Sequence, residues 1–484
     1  MSVWVPGQAV TRPGVYVRVQ SFGEPALAGT VQGLVAAALR ATWGPIGEVA
    51  VLESLAAVDE VLGSGLGTDV AREALRGGAQ SVVVSRAGGG TPVAASLTLQ
   101  DTTGTPVNAV TLTAKYQGTR GNALRVTLRD SLAAPTMREL LVYELVDGAN
   151  TLRQTIRFDA GVDGGGEPQK LVDAITDSDS PWLTATKLAD GNSILAAVGD
   201  PTPVALAGGV DPTTDGAAYT AALDVLTAQD WNVLALDTHD TAIHASAQAY
   251  IDARRDDGLR RLLVLAEPTS VALATRQANA RAFDDPPVIY VGNGFTGSDE
   301  VDRDGWAAGA RIAGMIAAAP VTNSLTHAVI TGGTGVLGAL TGSDLEASLN
   351  SGMLVFTMSL RKQVQVEYGI TTFITPTATL DAGWKKIRRV RTRDELLNRI
   401  TATWEPLIGQ INNSPDGRAT LIALGQGIIE ELVRDGALLS GRIFEDPARP
   451  PAGDAAYFVV EVDDLDSAEK VFLTAQFRFA PPAA

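Results

Sequence analysis

Between Asp215 and Ala318 the chain alternates short apolar runs with longer segments of helical spacing, and that rhythm limits the folds open to it. Helical spacing over 217–228, 242–255, 271–283 and 305–318 separates the buried-type runs Val233-Leu-Ala-Leu-Asp237, Arg261-Leu-Leu-Val-Leu-Ala266 and Val288-Ile-Tyr-Val291. Parallel strands need crossover connections, and helices supply them. Such alternation therefore predicts a mostly parallel sheet with helices on its faces. Residues 26–90 begin the same pattern, with an apolar run from Thr30 to Ala38, helical spacing at 55–62 and 70–75, and a buried-type strand Val82–Arg86 ended by Gly88-Gly-Gly90.

The texture changes from about Pro92. Ser96-Leu-Thr-Leu, Ala109–Ala114, Leu124–Arg129, Leu140–Val146 and Thr151–Phe158 are short strands separated by Gly, Asn, Asp and Pro. That spacing predicts a small antiparallel sandwich or barrel over 91–210, leaving through Gly208-Gly-Val-Asp-Pro212 and inserted between the two parts of an α/β core, 26–90 and 211–340.

A third pattern occupies 341–484. A short helix capped by Ser343 precedes a hairpin of Met353–Met358 with Gln363–Tyr368. Thr392 with Glu395 forms a capping box that starts a long helix, and Ser414-Pro415 starts a second one ending near Arg434-Asp-Gly436. Strands follow at Tyr457–Val462 and Val471–Phe479. The expected fold class is thus α/β and α+β multidomain: an α/β core, an inserted antiparallel β domain and a C-terminal α+β domain.

Both ends of the sequence alternate. Residues 1–25 read as an extended arm in which Val15, Tyr16, Val17, Arg18 and Val19 follow a Pro13-Gly14 turn. Near the other end, Val471, Phe472, Leu473, Ala475, Phe477 and Phe479 make an apolar strand. Such a strand either closes its own sheet or adds to the sheet edge of another subunit.

The 484 residues carry 38 Lys and Arg against 55 Asp and Glu, a net charge of −17. That field disfavours binding to a phosphate backbone, so no nucleic-acid partner is expected. With no cysteine, thiolate catalysis, disulfides and Cys-type metal sites are excluded. Three histidines are too few and too poorly spaced for a metal site: His239 and His244 are not at i,i+4. No stretch of about 20 residues is apolar enough to span a bilayer, and the first residues lack a signal-peptide pattern. No direct membrane contact is expected.

Two motifs stand out. Val329-Ile-Thr-Gly-Gly-Thr-Gly-Val-Leu-Gly338 holds G-x-G-x-x-G at Gly333, Gly335 and Gly338, the pattern of a pyrophosphate-binding turn. No acidic residue lies where the ribose would need one, at 353–358, and no Tyr-x-x-x-Lys occurs. An NAD(P)-dependent oxidoreductase is the alternative function this loop offers, and an ordinary Gly-rich connection is the simpler account. No P-loop, G-x-S-x-G or H-E-x-x-H is present, so no enzyme activity, catalytic residue, cofactor or metal is expected. The other motif is basic. Trp384–Arg393 carries Lys385, Lys386, Arg388, Arg389, Arg391 and Arg393, read either as a solvated strand or loop or as a docking patch for an acidic partner.

In order along the chain, Pro13-Gly-Val-Tyr-Val, Thr42-Trp-Gly-Pro-Ile-Gly-Glu, Ala114-Lys-Tyr-Gln-Gly-Thr-Arg-Gly-Asn, Leu206-Ala-Gly-Gly-Val-Asp, Leu340-Thr-Gly-Ser-Asp-Leu-Glu, Val366-Glu-Tyr-Gly-Ile-Thr-Thr and Ile387-Arg-Arg-Val-Arg-Thr-Arg-Asp resemble the contractile tail sheath proteins of bacteriophages, tailocins and related injection systems. Each motif is weak alone, and their collinear order carries the resemblance. It implies a structural subunit that polymerises as stacked hexameric rings around a tail tube and contracts to drive that tube through a cell envelope. The implied partners are other copies of the chain in a helical homo-oligomer, the tube protein, and baseplate and tail terminator proteins. The implied location is a virion tail assembled in the bacterial cytoplasm. The resemblance also implies that Val15–Val19 and the 471–479 strand link neighbouring subunits, and that the 91–210 domain faces outward. The six cations at 385–393 become candidate contacts with the tube or a neighbour.

Overall fold

Successive side chains of the strand Leu34–Leu39 go to opposite faces of one sheet. Val35, Ala37 and Leu39 enter one buried cluster, Ala36 and Ala38 another. This is the period-2 consequence of strand geometry, and it appears here because both faces are covered. The computed structural model describes residues 33–477 except 64, 66, 103, 135, 162–165 and 189–193. Val15–Val19 and Phe479 lie outside the described residues. Two compact units are formed, one by 392–465 and one by 33–391 with 466–477.

The larger unit holds a seven-stranded sheet in the order Met353–Leu354, Val288–Val291, Leu262–Ala266, Val233–Leu236, Leu34–Leu39, Ser81–Arg86, Val49–Leu52. All neighbours pair in parallel except the last, which is antiparallel. The helices Thr68–Arg76 and Trp306–Ala318 cover one face through Val70, Ala74, Ile312 and Ile316. Helices Gly216–Leu226, Thr241–Asp256 and Leu273–Phe283 cover the other through Leu223, Leu226, Ala247, Ile251 and Ala280. The α/β rhythm of the sequence is therefore real, and it extends past residue 340, since Met353–Leu354 is an edge strand of this sheet. The sequence did not announce this strand, because two apolar residues flanked by Gly352 and a hairpin are too short a run to read as one.

Helices 68–76 and 306–318 pack unusually close. Gly77 lies where a Cβ would meet the Arg311 carbonyl at 2.4 Å. Between them sits Glu73, 1% exposed, which accepts from Arg76 (2.6 Å), Arg303 (3.1 Å) and Arg311 (2.5 Å). A buried carboxylate is tolerable only when paired in this way.

Residues 96–205 build two further sheets. One is four-stranded, Val204–Ala205, Leu124–Asp130, Met137–Val146, Ala149–Asp159, and one is three-stranded, Ser96–Gln100, Asn108–Ala114, Leu183–Lys187. All pairings within them are antiparallel. The helix Gly166–Asp177, unanticipated in this β-textured stretch, adds Leu171 and Ile175 to their shared core. Arg120 locks this region. Its guanidinium lies 5.7 Å from the Trp43 ring and 5.1 Å from that of Trp182, bonds Glu144 at 2.6 Å, and donates to the Asp59 and Glu60 carbonyls. Burial opposes the Glu144 charge, yet Arg120 and Arg153 hold its carboxyl below the usual range.

The smaller unit contains the helix Pro415–Arg434 and the antiparallel pair Leu438–Glu445 with Phe458–Asp464. Ser414 caps the helix by accepting from the Gly417 amide at 3.2 Å, with Pro415 at its first position, as its sequence predicts. Gly425 sits against Trp404 and Ile443, and Ile428, Ile429 and Leu432 fill the space beneath the strands.

Two helix starts differ from expectation. The short helix Gly342–Asn350 is capped by Thr341, not Ser343. The long helix runs Ile387–Trp404, so Arg388, Arg389, Arg391 and Arg393 are helical rather than in a strand or loop, Lys385 and Lys386 lie just before the helix, and Thr392 lies inside it. Ile387 and Val390, both fully buried, share a face one turn apart and begin the helix before the capping box.

Candidate functional site

The sequence points to its own termini, and the described end of the chain has two parts. Residues 466–470 are held. Lys386 Nζ lies 2.5 Å from Asp466 and 2.8 Å from Glu469. The Glu469 carboxylate also accepts from Ser324 Oγ at 2.7 Å and Thr326 Oγ1 at 2.8 Å, and its side chain is 8% exposed. Fixed backbone groups orient these hydroxyls: Ser324 Oγ accepts from the Thr326 amide, and Thr326 Oγ1 from the Gly369 amide. Burial weakens the Lys386 charge, but Asp466 and Glu469 more than compensate and raise it above the ordinary lysine range.

From Val471 the character reverses. Val471, Phe472, Leu473 and Phe477 are 83–92% exposed, and Ala475 is exposed. Of the strand expected at 471–479, the described part, 471–477, has no regular secondary structure. Burying each large apolar side chain against a partner is worth about 1.5–3 kcal/mol, so four together form a strongly adhesive segment.

None of the six cations at 385–393 is a free surface charge. Lys385 donates to the Leu349 carbonyl at 2.9 Å, and burial lowers its pKa. Lys386 holds the tail. Arg391 donates to the Ala319 and Pro320 carbonyls. Arg393 pairs with Asp464 at 3.3 Å within the smaller unit. Arg388 is 4% exposed, Arg389 packs over Gly383, and both are engaged. The run ties the chain together. Sequence reasoning missed Glu469, Asp466, Ser324 and Thr326, because partners so distant in the chain leave no local spacing to read.

The glycine motif has another explanation than a nucleotide. Gly333 and Gly335 belong to the strand Gly333–Leu337, which pairs antiparallel with Gly294–Gly297 in a small three-stranded sheet. A pyrophosphate turn instead joins a strand of the parallel sheet to a helix start. The oxidoreductase reading finds no support in this geometry. Among the described residues no helix is long and apolar enough to cross a membrane, and no group of three or more His, Cys, Asp or Glu is placed to hold a metal ion.

Residues 213–372, which contain the second half of the parallel sheet and the glycine strand, match the family described as phage tail sheath protein central domain. The tail sheath resemblance extends along the chain. The Bacillus subtilis (strain 168) phage-like element PBSX protein XkdK is 24% identical over 487 residues, covering 97% of this chain and 98% of its own. The sheath tail protein of Desulfitobacterium hafniense has the same fold, with a TM-score of 0.68 at 24% identity, covering 93% of this chain and all of the other. The helical sheath of the anti-feeding prophage in its contracted state aligns over 97% of this chain and 99% of its own, with a TM-score of 0.52 at 12% identity.

Proposed function

We propose that the chain is a structural subunit of a contractile tail sheath, in a phage tail or a related injection system. The exposed apolar segment Val471–Phe477 carries the reading, and the match of residues 213–372 to the sheath central-domain family supports it. Seven residues carrying four exposed large apolar side chains are a liability in a monomer and a joint in a polymer. Val15–Val19 is the second linker in this proposal. The receiving sheet is a neighbour's copy of Leu438–Glu445 with Phe458–Asp464, which has only two strands among the described residues and two edges to offer. Leu439, 65% exposed, stands ready on the edge strand.

Subunits joined in this way stack as hexameric rings around a tail tube, with baseplate and terminator proteins at the ends. Residues 91–210 form the outward domain, and the joining elements are the smaller unit 392–465 and the terminal segment. The helix carrying the 385–393 run faces the tube or a neighbour and contributes shape there more than free charge. Contraction buries new surface. At about 25 cal/mol per Å², roughly 200–300 Å² of apolar area per subunit releases about 5–7 kcal/mol. Summed over many subunits, that drives the tube without nucleotide chemistry. Deleting residues 1–20 tests the N-terminal half of the proposal. The expected result is a folded chain that no longer forms tubes in negative-stain electron microscopy; tubes of undiminished length overturn the arm assignment.

A further inference from the structure

We propose that Glu469, gripped by Lys386, Ser324 and Thr326, is the fixed root of the terminal segment, so that 466–470 stay on their own subunit and only residues from Val471 onward are given to a neighbour. This rests on the strand-exchange reading above and adds a positioning site to it.

The change in exposure is abrupt. The Glu469 side chain is 8% exposed, whereas Val471 two residues later is 83% exposed. A carboxylate meeting one ammonium and two hydroxyls, at 2.7–2.8 Å from each, occupies a built site. The site is assembled from far-apart segments of the larger unit, and Lys386 doubles the grip by taking Asp466 as well. Ser324 and Thr326 accept from backbone amides rather than donate to the backbone, and the Ser324 hydroxyl, 3.1 Å from Thr326 Oγ1, makes its shorter contact, 2.7 Å, with Glu469. The donors therefore face the tail, and their geometry is specific for an acceptor at position 469.

The root sets reach. Val471–Phe477 spans at most about 23 Å when extended, at ~3.3 Å per residue. Freeing 466–470 adds roughly 17 Å of slack on the same rise. Slack dilutes the segment around the neighbouring sheet edge and weakens the joint without altering any contact across it.

The absence of cysteine makes the test clean. In the full chain, Ser467→Cys labelled with a nitroxide is the single labelled site. The expected spectrum is restricted in the parent background and mobile when Lys386→Ala or Glu469→Gln is added, with Lys386→Arg restoring restriction. The protein concentration needed to pellet polymer is expected to rise about tenfold in the two disrupting variants, with unchanged far-ultraviolet circular dichroism. A mobile label in the parent, or a label unmoved by Lys386→Ala and Glu469→Gln, overturns the root, as do equal pelleting thresholds. A chain truncated after Lys470 separates the two ideas. If it pellets like the full chain, strand exchange by this segment fails; if it does not pellet but Lys386→Ala behaves as the parent, the root alone fails.

Discussion

Gly314 faces the carbonyl of Ala74 so closely that a methyl group at 314 would stand 2.0 Å from that oxygen. Backbone, not a flexible side chain, blocks the space, so the helices 68–76 and 306–318 must part to admit it. Gly314→Ala is expected to destabilise the larger unit by about 2–3 kcal/mol, although alanine favours a helix elsewhere. Gly342→Ala, where nothing lies within 4 Å, is expected to stay within about 0.5 kcal/mol of the parent. Denaturant titration of both variants checks this, and equal midpoints would contradict the close packing.

Arg120 joins three kinds of contact at one guanidinium. Truncating it leaves the Glu144 carboxylate, 8% exposed, with Arg153 at 2.7 Å as its remaining ion-pair partner among the described residues. Arg120→Ala is expected to cost about 2–4 kcal/mol, because the buried carboxylate keeps only one of its two cations and the space beside two indoles is emptied. Arg442→Ala removes an equally short ion pair with Glu461, but those side chains are 70% and 53% exposed. Its expected cost is below about 1 kcal/mol. Thermal denaturation distinguishes the two; similar losses would show that burial does not govern the difference.

Asp285 predicts a pH dependence. Burial, reinforced by neighbouring Asp252, raises its pKa to about 6 despite Gln248 and Arg255. In the unfolded chain it titrates near 3.9, so between these values the folded state binds the extra proton. Its contribution is full below about pH 4 and is lost as pH rises through about 6. Asp285→Asn is expected to gain stability over the parent, by up to about 2–3 kcal/mol, between pH 4.5 and pH 8. Unfolding midpoints at those two pH values check the sign; a constant difference would contradict it.

The central sheet was legible because its strands are short apolar runs between helices of regular spacing, and buried strands must be apolar on both faces. Ser414-Pro415 was legible because capping is local chemistry. The helix start at Ile387 was hidden by six cations, whose bonds to distant carbonyls and carboxylates appear only once the chain has folded. Gly333 and Gly335 misled for the converse reason: the same residues serve a pyrophosphate turn or a tight antiparallel strand, and only pairing with Gly294–Gly297 tells them apart. The alternation at Val471–Phe477 announced a strand, but no strand among the described residues pairs with it. Alternation records which face a side chain takes, not whose sheet it enters.

The most direct measurement of the account's central claim is negative-stain electron microscopy of the full chain beside the chain ending at Lys470, at equal high concentration. The full chain is expected to form striated tubes or stacked rings, and the truncated one only dispersed, folded particles. Tubes of equal length from both would contradict it.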